Sequence, residues 1–129
     1  MDRVLNFKKG DKCIVAIEEH SNASRHKDMS IDNINDWTYE GVVIASGKKY
    51  ITVEFNNETS KFEVDNDYRK KVNYGSNDYK LFKDIQGVKD ERELDSLIWS
   101  IRMCFDRMNK SNTKLTLDQL RRISNIISE

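Results

Sequence analysis

The chain has 129 residues, 37% hydrophobic and 34% charged, so it can bury one core but not two beneath a heavily charged surface. Lys+Arg and Asp+Glu are equal at 22 each, which argues against a nucleic-acid grip unless the charges are sorted onto one face. Two cysteines, no signal-peptide pattern after Met1-Asp2-Arg3-Val4, and no apolar run near the roughly 20 residues of a membrane span predict a cytoplasmic protein with reduced thiols. Cys13 and Cys104 both sit in apolar patterns, so both are expected to be buried small hydrophobes rather than disulfide partners or metal ligands.

Phe7 to Lys12, with Gly10 and Asp11, is a turn leading into a strand at Cys13 to Ile17. Strand alternation puts Cys13, Val15 and Ile17 on one face, and Glu18 and Glu19 end the run. His20 to Asp36 reads as a long polar excursion with a helical turn at Ile31 to Ile34; loops of that length are often functional or mobile. Trp37 to Ala45 is a second strand, with Gly41 as a bulge or bend. Ser46-Gly47-Lys48-Lys49 is a hairpin turn into Tyr50 to Phe55, where Tyr50, Thr52 and Glu54 alternate with Ile51, Val53 and Phe55. Asn56-Asn57-Glu58 turns again into Thr59 to Val64, so the three strands form a meander.

Asp65 to Phe82 holds two turn clusters, Asp65-Asn66-Asp67 and Gly75-Ser76-Asn77-Asp78, and is expected to wrap a barrel, with Tyr79 to Phe82 as a closing strand. A helix is predicted over Asp90 to Met108, with Asp90 as N-cap and Glu93 completing a capping box. Leu94, Leu97, Ile98, Ile101, Cys104, Phe105 and Met108 share one of its faces. Trp99 falls off that stripe, and exposure there would mark a partner surface such as a homodimer contact. After Asn109 to Thr113, a second helix starts with Thr116 and Gln119 as a capping box and Leu115 against Leu120 as a hydrophobic staple. Leu117, Leu120, Ile123 and Ile127 form its apolar face, which reads as a helical hairpin with the first helix. The expected class is α+β: a barrel over 1–82 with a long loop at 20–36, then a helical hairpin over 90–129, together one compact unit.

Catalytic patterns do not emerge. The five glycines are scattered, no CxxC or HExxH is present, and no carboxylate pair stands out. His20 and His26, near Asp28 and Asp32, match no metal-ligand spacing. A non-enzymatic protein without catalytic residues, metal or cofactor is expected. The strongest contact candidates are Tyr68, Arg69, Lys70, Lys71, Tyr74 and Tyr79, since rings interleaved with cations suit base stacking and phosphate contact and suit protein hot spots equally. Arg25, His26 and Lys27 at the tip of the long loop are a second set, while Arg121 and Arg122 read as solvated.

The order of Gly10-Asp11, a long loop, Gly41-Val42-Val43 and Val53-Glu54-Phe55 resembles a small SH3-like barrel. With Tyr74-Gly75, Tyr79-Lys80-Leu81-Phe82 and Leu115 to Ile123, the chain resembles a group of small uncharacterised β-barrel accessory proteins from bacteriophages and mobile elements of low-GC Gram-positive bacteria. The resemblance spans roughly Phe7 to Ile127 and brings no catalytic residues. It implies a phage-type protein that docks on a host protein or protein complex, inhibitors of bacterial defence such as anti-CRISPR proteins being one outcome. A nucleic-acid-binding SH3-like module and a barrel that sequesters a small molecule stay open as alternatives, with no membrane role.

Overall fold

The computed structural model describes residues 6–72 and 78–129. Six strands, β1 (Lys12–Ile17), β2 (Thr38–Ser46), β3 (Tyr50–Phe55), β4 (Glu58–Glu63), β5 (Arg69–Lys70) and β6 (Tyr79–Phe82), pair antiparallel in chain order. β6 returns to β1, Val15 opposite Leu81, and closes the barrel. The closure is narrow at β5, which pairs through Arg69 and Lys70 with Glu63 and Phe62 of β4 and through Arg69 with Lys80 of β6. The expected meander is present, and Tyr79–Phe82 forms the expected closing strand.

Period-2 patterning fills the barrel. Cys13, Val15, Val43, Ile51, Val53, Phe55, Phe62 and Leu81 point inward and are buried, while Thr52, Glu54, Lys61 and Glu63 point outward. Phe55 is the hub of the aromatic contacts, with ring centroids 5.5 Å from Tyr79, 5.9 Å from Tyr39 and 6.1 Å from Phe62. The turn at Asn56 and Asn57 has φ of 51° and 61°, the left-handed pair that asparagine tolerates and that suits a two-residue hairpin. Gly41 is not the bulge. The register shifts between Val43 and Ala45 instead, and Gly41 is needed for close approach: a Cβ there would lie 2.9 Å from Val53 Cγ1 and 3.3 Å from Cys13 Sγ.

The excursion between β1 and β2 is tied down. It contains a 3-10 helix at Ile31–Asp36, and Asp28 accepts hydrogen bonds from the Ser30 backbone N–H and the Asn33 side chain. Ile34 and Trp37 pack with Ala16, Ile17, Phe82 and Val88 in a second buried cluster, and Trp37 Nε1 donates to the Ser30 carbonyl at 2.9 Å. Val88 belongs to α1 (Ile85–Phe105), which starts five residues before the expected Asp90. Asp84 is the cap, its carboxylate accepting from Gly87 N–H at 2.8 Å. The earlier start has a packing cause, since it lets Ile85 and Val88 reach that cluster.

The chain divides into two compact units, Met1–Glu93 and Leu94–Glu129, so the first turns of α1 belong with the barrel. The second unit holds the rest of α1 and α2 (Leu117–Ile127), whose capping box is formed as expected: Thr116 Oγ1 accepts from Gln119 N–H, and Gln119 Oε1 accepts from Thr116 N–H. α1 stops at Phe105 rather than Met108, where Arg107 turns left-handed at φ 60°. No residue of Leu94–Glu129 is buried. Cys104 is therefore exposed, contrary to expectation, whereas Cys13 sits inside the barrel. Among the described residues no helix is long and apolar enough to cross a membrane.

Candidate functional site

The strongest constellation lies on the outer face of β3, β4 and β5. Lys48 and Lys49 occupy the β2–β3 hairpin, and Tyr50 opens β3 pointing outward because Ile51 points in. Thr52 pairs with Lys61 across the β3–β4 ladder, one step from Tyr50 on the same face. Lys71 N–H donates to the Lys61 carbonyl at 2.8 Å, which brings a third lysine alongside. The ammonium groups of Lys71, Lys61 and Lys49 stand 5.0, 5.5 and 5.8 Å from the Tyr50 ring centroid. Lys70 Nζ lies 5.3 Å from the Tyr79 ring. Lys61, Lys70 and Lys71 also line an open groove of about 520 Å³ with Glu58, Thr59 and Ser60.

Among the described residues, none of these four lysines has a carboxylate partner. The cations elsewhere differ. Arg69 pairs with Glu18 at 3.5 Å, Lys80 with Asp67 at 2.6 Å and with Glu91, Lys83 with Asp11 at 4.0 Å, and Arg92 with Glu19 at 3.8 Å. Three ammonium groups around one ring repel one another at separations where salt screens only part of the field. An anion between them relieves that repulsion and releases their counterions. Cation–π contact with Tyr50 holds the lysine tips near the surface in advance, at about 0.5–1 kcal/mol each for exposed groups.

The expected contact residues fall into separate places. Lys71 belongs to this face; Lys70, opposite the inward Phe62, lines the adjoining groove, and its ammonium lies over Tyr79, whose ring packs on Phe55 and Tyr39 in the barrel. Tyr79 is half-buried, and burial raises its hydroxyl above the ordinary value, with smaller contributions from Tyr39, Asp78 and Glu58. Arg69 is engaged by Glu18. Tyr68 is a core residue, 4% exposed with its ring 5.6 Å from Phe7, because the left-handed turn at Asp67 and Tyr68 swings it inward. Tyr74 lies outside the described residues. Arg25, His26 and Lys27 are exposed at their loop tip, and among the described residues no hydrogen bond, ion pair or ring contact links them to the lysines. Lys49, Tyr50 and Lys61 were missed by the sequence reading. Their signal was the register of the meander, which puts every second residue of β3 and β4 outside.

A second groove, of about 590 Å³, runs beside β1 and β2 and is lined by Cys13, Ile14, Val42, Phe55 and Ile85 with charges of both signs. Burial pushes the Cys13 thiol up to about 11, helped by Asp11 and opposed by Lys83, so it is no nucleophile at neutral pH. Where α1 meets the barrel, Lys80 is enclosed by Asp67 and Glu91, and the Arg92 guanidinium lies 4.6 Å over Trp37. Burial raises the Glu18 carboxyl above its ordinary value, against the pull of Arg69 and Lys80. Among the described residues no three His, Cys, Asp or Glu side chains gather as a metal site.

No curated protein and no solved structure matches the chain. A phage family model matches along its whole length, residues 1–129, in keeping with the phage-type reading of the sequence. The chain belongs to the phage ProQ C-terminal-like domain family.

Proposed function

We propose that the chain is a non-enzymatic cytoplasmic module, built on an SH3-like barrel, that binds single-stranded nucleic acid along the outer face of β3 to β5. One observation carries the reading: Lys49, Lys61 and Lys71 converge on Tyr50 with no carboxylate partner among the described residues. Lysines are point charges suited to phosphates, and a neighbouring ring offers a stacking surface to an unpaired base. Because the lysine tips lie against the Tyr50 ring, phosphate contact dominates and sequence preference is weak.

Fluorescence anisotropy with labelled single-stranded RNA and DNA tests this. Four phosphate-contacting lysines predict a log–log salt slope of about −2.8, and so roughly a 50-fold loss of affinity from 50 to 200 mM salt. Lys61→Glu with Lys71→Glu should abolish binding, while Arg121→Glu with Arg122→Glu should leave it unchanged. Absence of binding to either polymer at low salt refutes the reading. Docking on a host protein, inhibition of a defence complex included, is the second reading. The exposed Arg25-His26-Lys27 tip supports it, and a stoichiometric host partner lost on Arg25→Glu with Lys27→Glu would establish it.

A further inference from the structure

The lysines around Tyr50 form a spot, not a track. The ammonium groups of Lys49, Lys61 and Lys71 all lie within 5.8 Å of the ring centroid. Carboxylates bound this spot along the strands. Glu63 stands opposite Tyr50, and Glu54 follows Thr52 on the same outer face of β3. Toward β2, Thr52 faces Ala45, which carries no charge. The adjoining groove holds one further lysine, Lys70, and is also lined by Glu58.

An extended strand carries one charge per nucleotide and spreads them along its length. To put three phosphates into this spot its backbone must fold back on itself, and that ordering weakens binding. A chain running on along β3 or β4 would also set phosphates beside Glu54 or Glu63. Consecutive phosphoryl groups joined by anhydride oxygens meet three point charges around one ring at neither cost. The lysine tips already crowd the Tyr50 ring, so the ligand needs no base stacked there. Resting on the single-strand reading above, we propose that the Tyr50 cluster holds a terminal polyphosphate. The ligand is the 5′-triphosphate of a strand or of a free nucleotide, and a strand would place its first internucleotide phosphate at Lys70.

Fluorescence anisotropy of the full chain with one RNA oligomer, made with a 5′-hydroxyl or a 5′-triphosphate end and labelled at its 3′ end, tests the proposal. The triphosphate end should bind about tenfold tighter, since it spares the strand the ordering that the hydroxyl end requires. Lys49→Gln should cut that preference to about threefold, one exposed cation being lost. Lys83→Gln should leave it unchanged, because Lys83 pairs with Asp11 elsewhere on the barrel. Inorganic triphosphate should displace the hydroxyl-ended strand. Competition by ATP separates the two sources: parity with the triphosphorylated oligomer assigns a free nucleotide, and weaker competition assigns a strand end. Either result upholds the polyphosphate site. Equal affinity for the two ends, or a preference indifferent to Lys49→Gln, overturns the proposal and leaves the single-strand reading standing. Binding of neither oligomer at low salt overturns both.

Discussion

Lys80 is the most exacting test of how α1 is fixed to the barrel. It is 4% exposed, faces out of β6, and holds two carboxylates at once: Asp67 Oδ2 at 2.6 Å and Glu91 of α1. Its stem crosses Phe82, with Nζ 5.4 Å from the ring centroid, so Lys80→Met keeps the apolar packing and removes only the charge. That change strands Glu91, whose side chain is 22% exposed, and Asp67, which at 49% rehydrates readily. Breaking a buried pair by removing one partner costs about 3–5 kcal/mol, and the rehydration of Asp67 places this case at about 3 kcal/mol. Asp67→Asn leaves Lys80 its Glu91 partner and should cost under about 1 kcal/mol. At roughly 4 °C per kcal/mol the expected drop in Tm is about 12 °C for Lys80→Met. Thermal unfolding followed by near-UV circular dichroism measures both variants. If Lys80→Met melts with the parent, or Asp67→Asn costs as much as Lys80→Met, the triad does not anchor α1 as argued.

Two further outcomes follow from burial and titration. With a thiol-reactive dye at neutral pH, Cys104 should label quickly and Cys13 only after unfolding, because Cys13 is buried with its thiol pushed up to about 11; equal rates would contradict the barrel packing. Glu18 binds its proton more tightly folded than unfolded, so its contribution to stability is full below the ordinary carboxyl value of 4.5 and is lost as pH rises through the raised folded value. Glu18→Gln should thus gain on the parent, in urea midpoint, between acid and neutral pH, and a variant that falls behind over that window would reverse the sign.

The barrel was legible in the sequence because its strands obey one period. Ile51, Val53 and Phe55 against Tyr50, Thr52 and Glu54 assign both a strand and its inner face, and the Asn56-Asn57 turn fixes the register. The helix start was not legible. Asp84 and Asp90 are both plausible caps by residue type, and only the packing of Ile85 and Val88 on Phe82 and Trp37 chooses between them. Tyr68 shows the same gap. Beside Arg69 and Lys70 it looks like a contact residue, yet two successive left-handed residues turn it into the core. Of the candidate site, the run Lys70-Lys71 was visible as a string. Its convergence with Lys49, Tyr50 and Lys61 needs the β3–β4 and β4–β5 pairings at once.

Neutral composition is a weak argument against a charged surface, and this chain shows why. Equal totals of acid and base exclude a basic face only when cations meet anions at random. Here Asp11, Glu18, Glu19, Asp67 and Glu91 are drawn to Lys83, Arg69, Arg92 and Lys80 around β1, β6 and the start of α1. Those pairs neutralise locally, and two of them, Lys80 with Glu91 and Arg92 with Glu19, tie the first turns of α1 to the barrel. The lysines of β3 to β5 are left to aromatic rings, which hold a cation without cancelling its charge. Stability and recognition thus divide the same residue type between two sides of one barrel, and Lys61→Glu should impair binding without moving the Tm that Lys80→Met lowers.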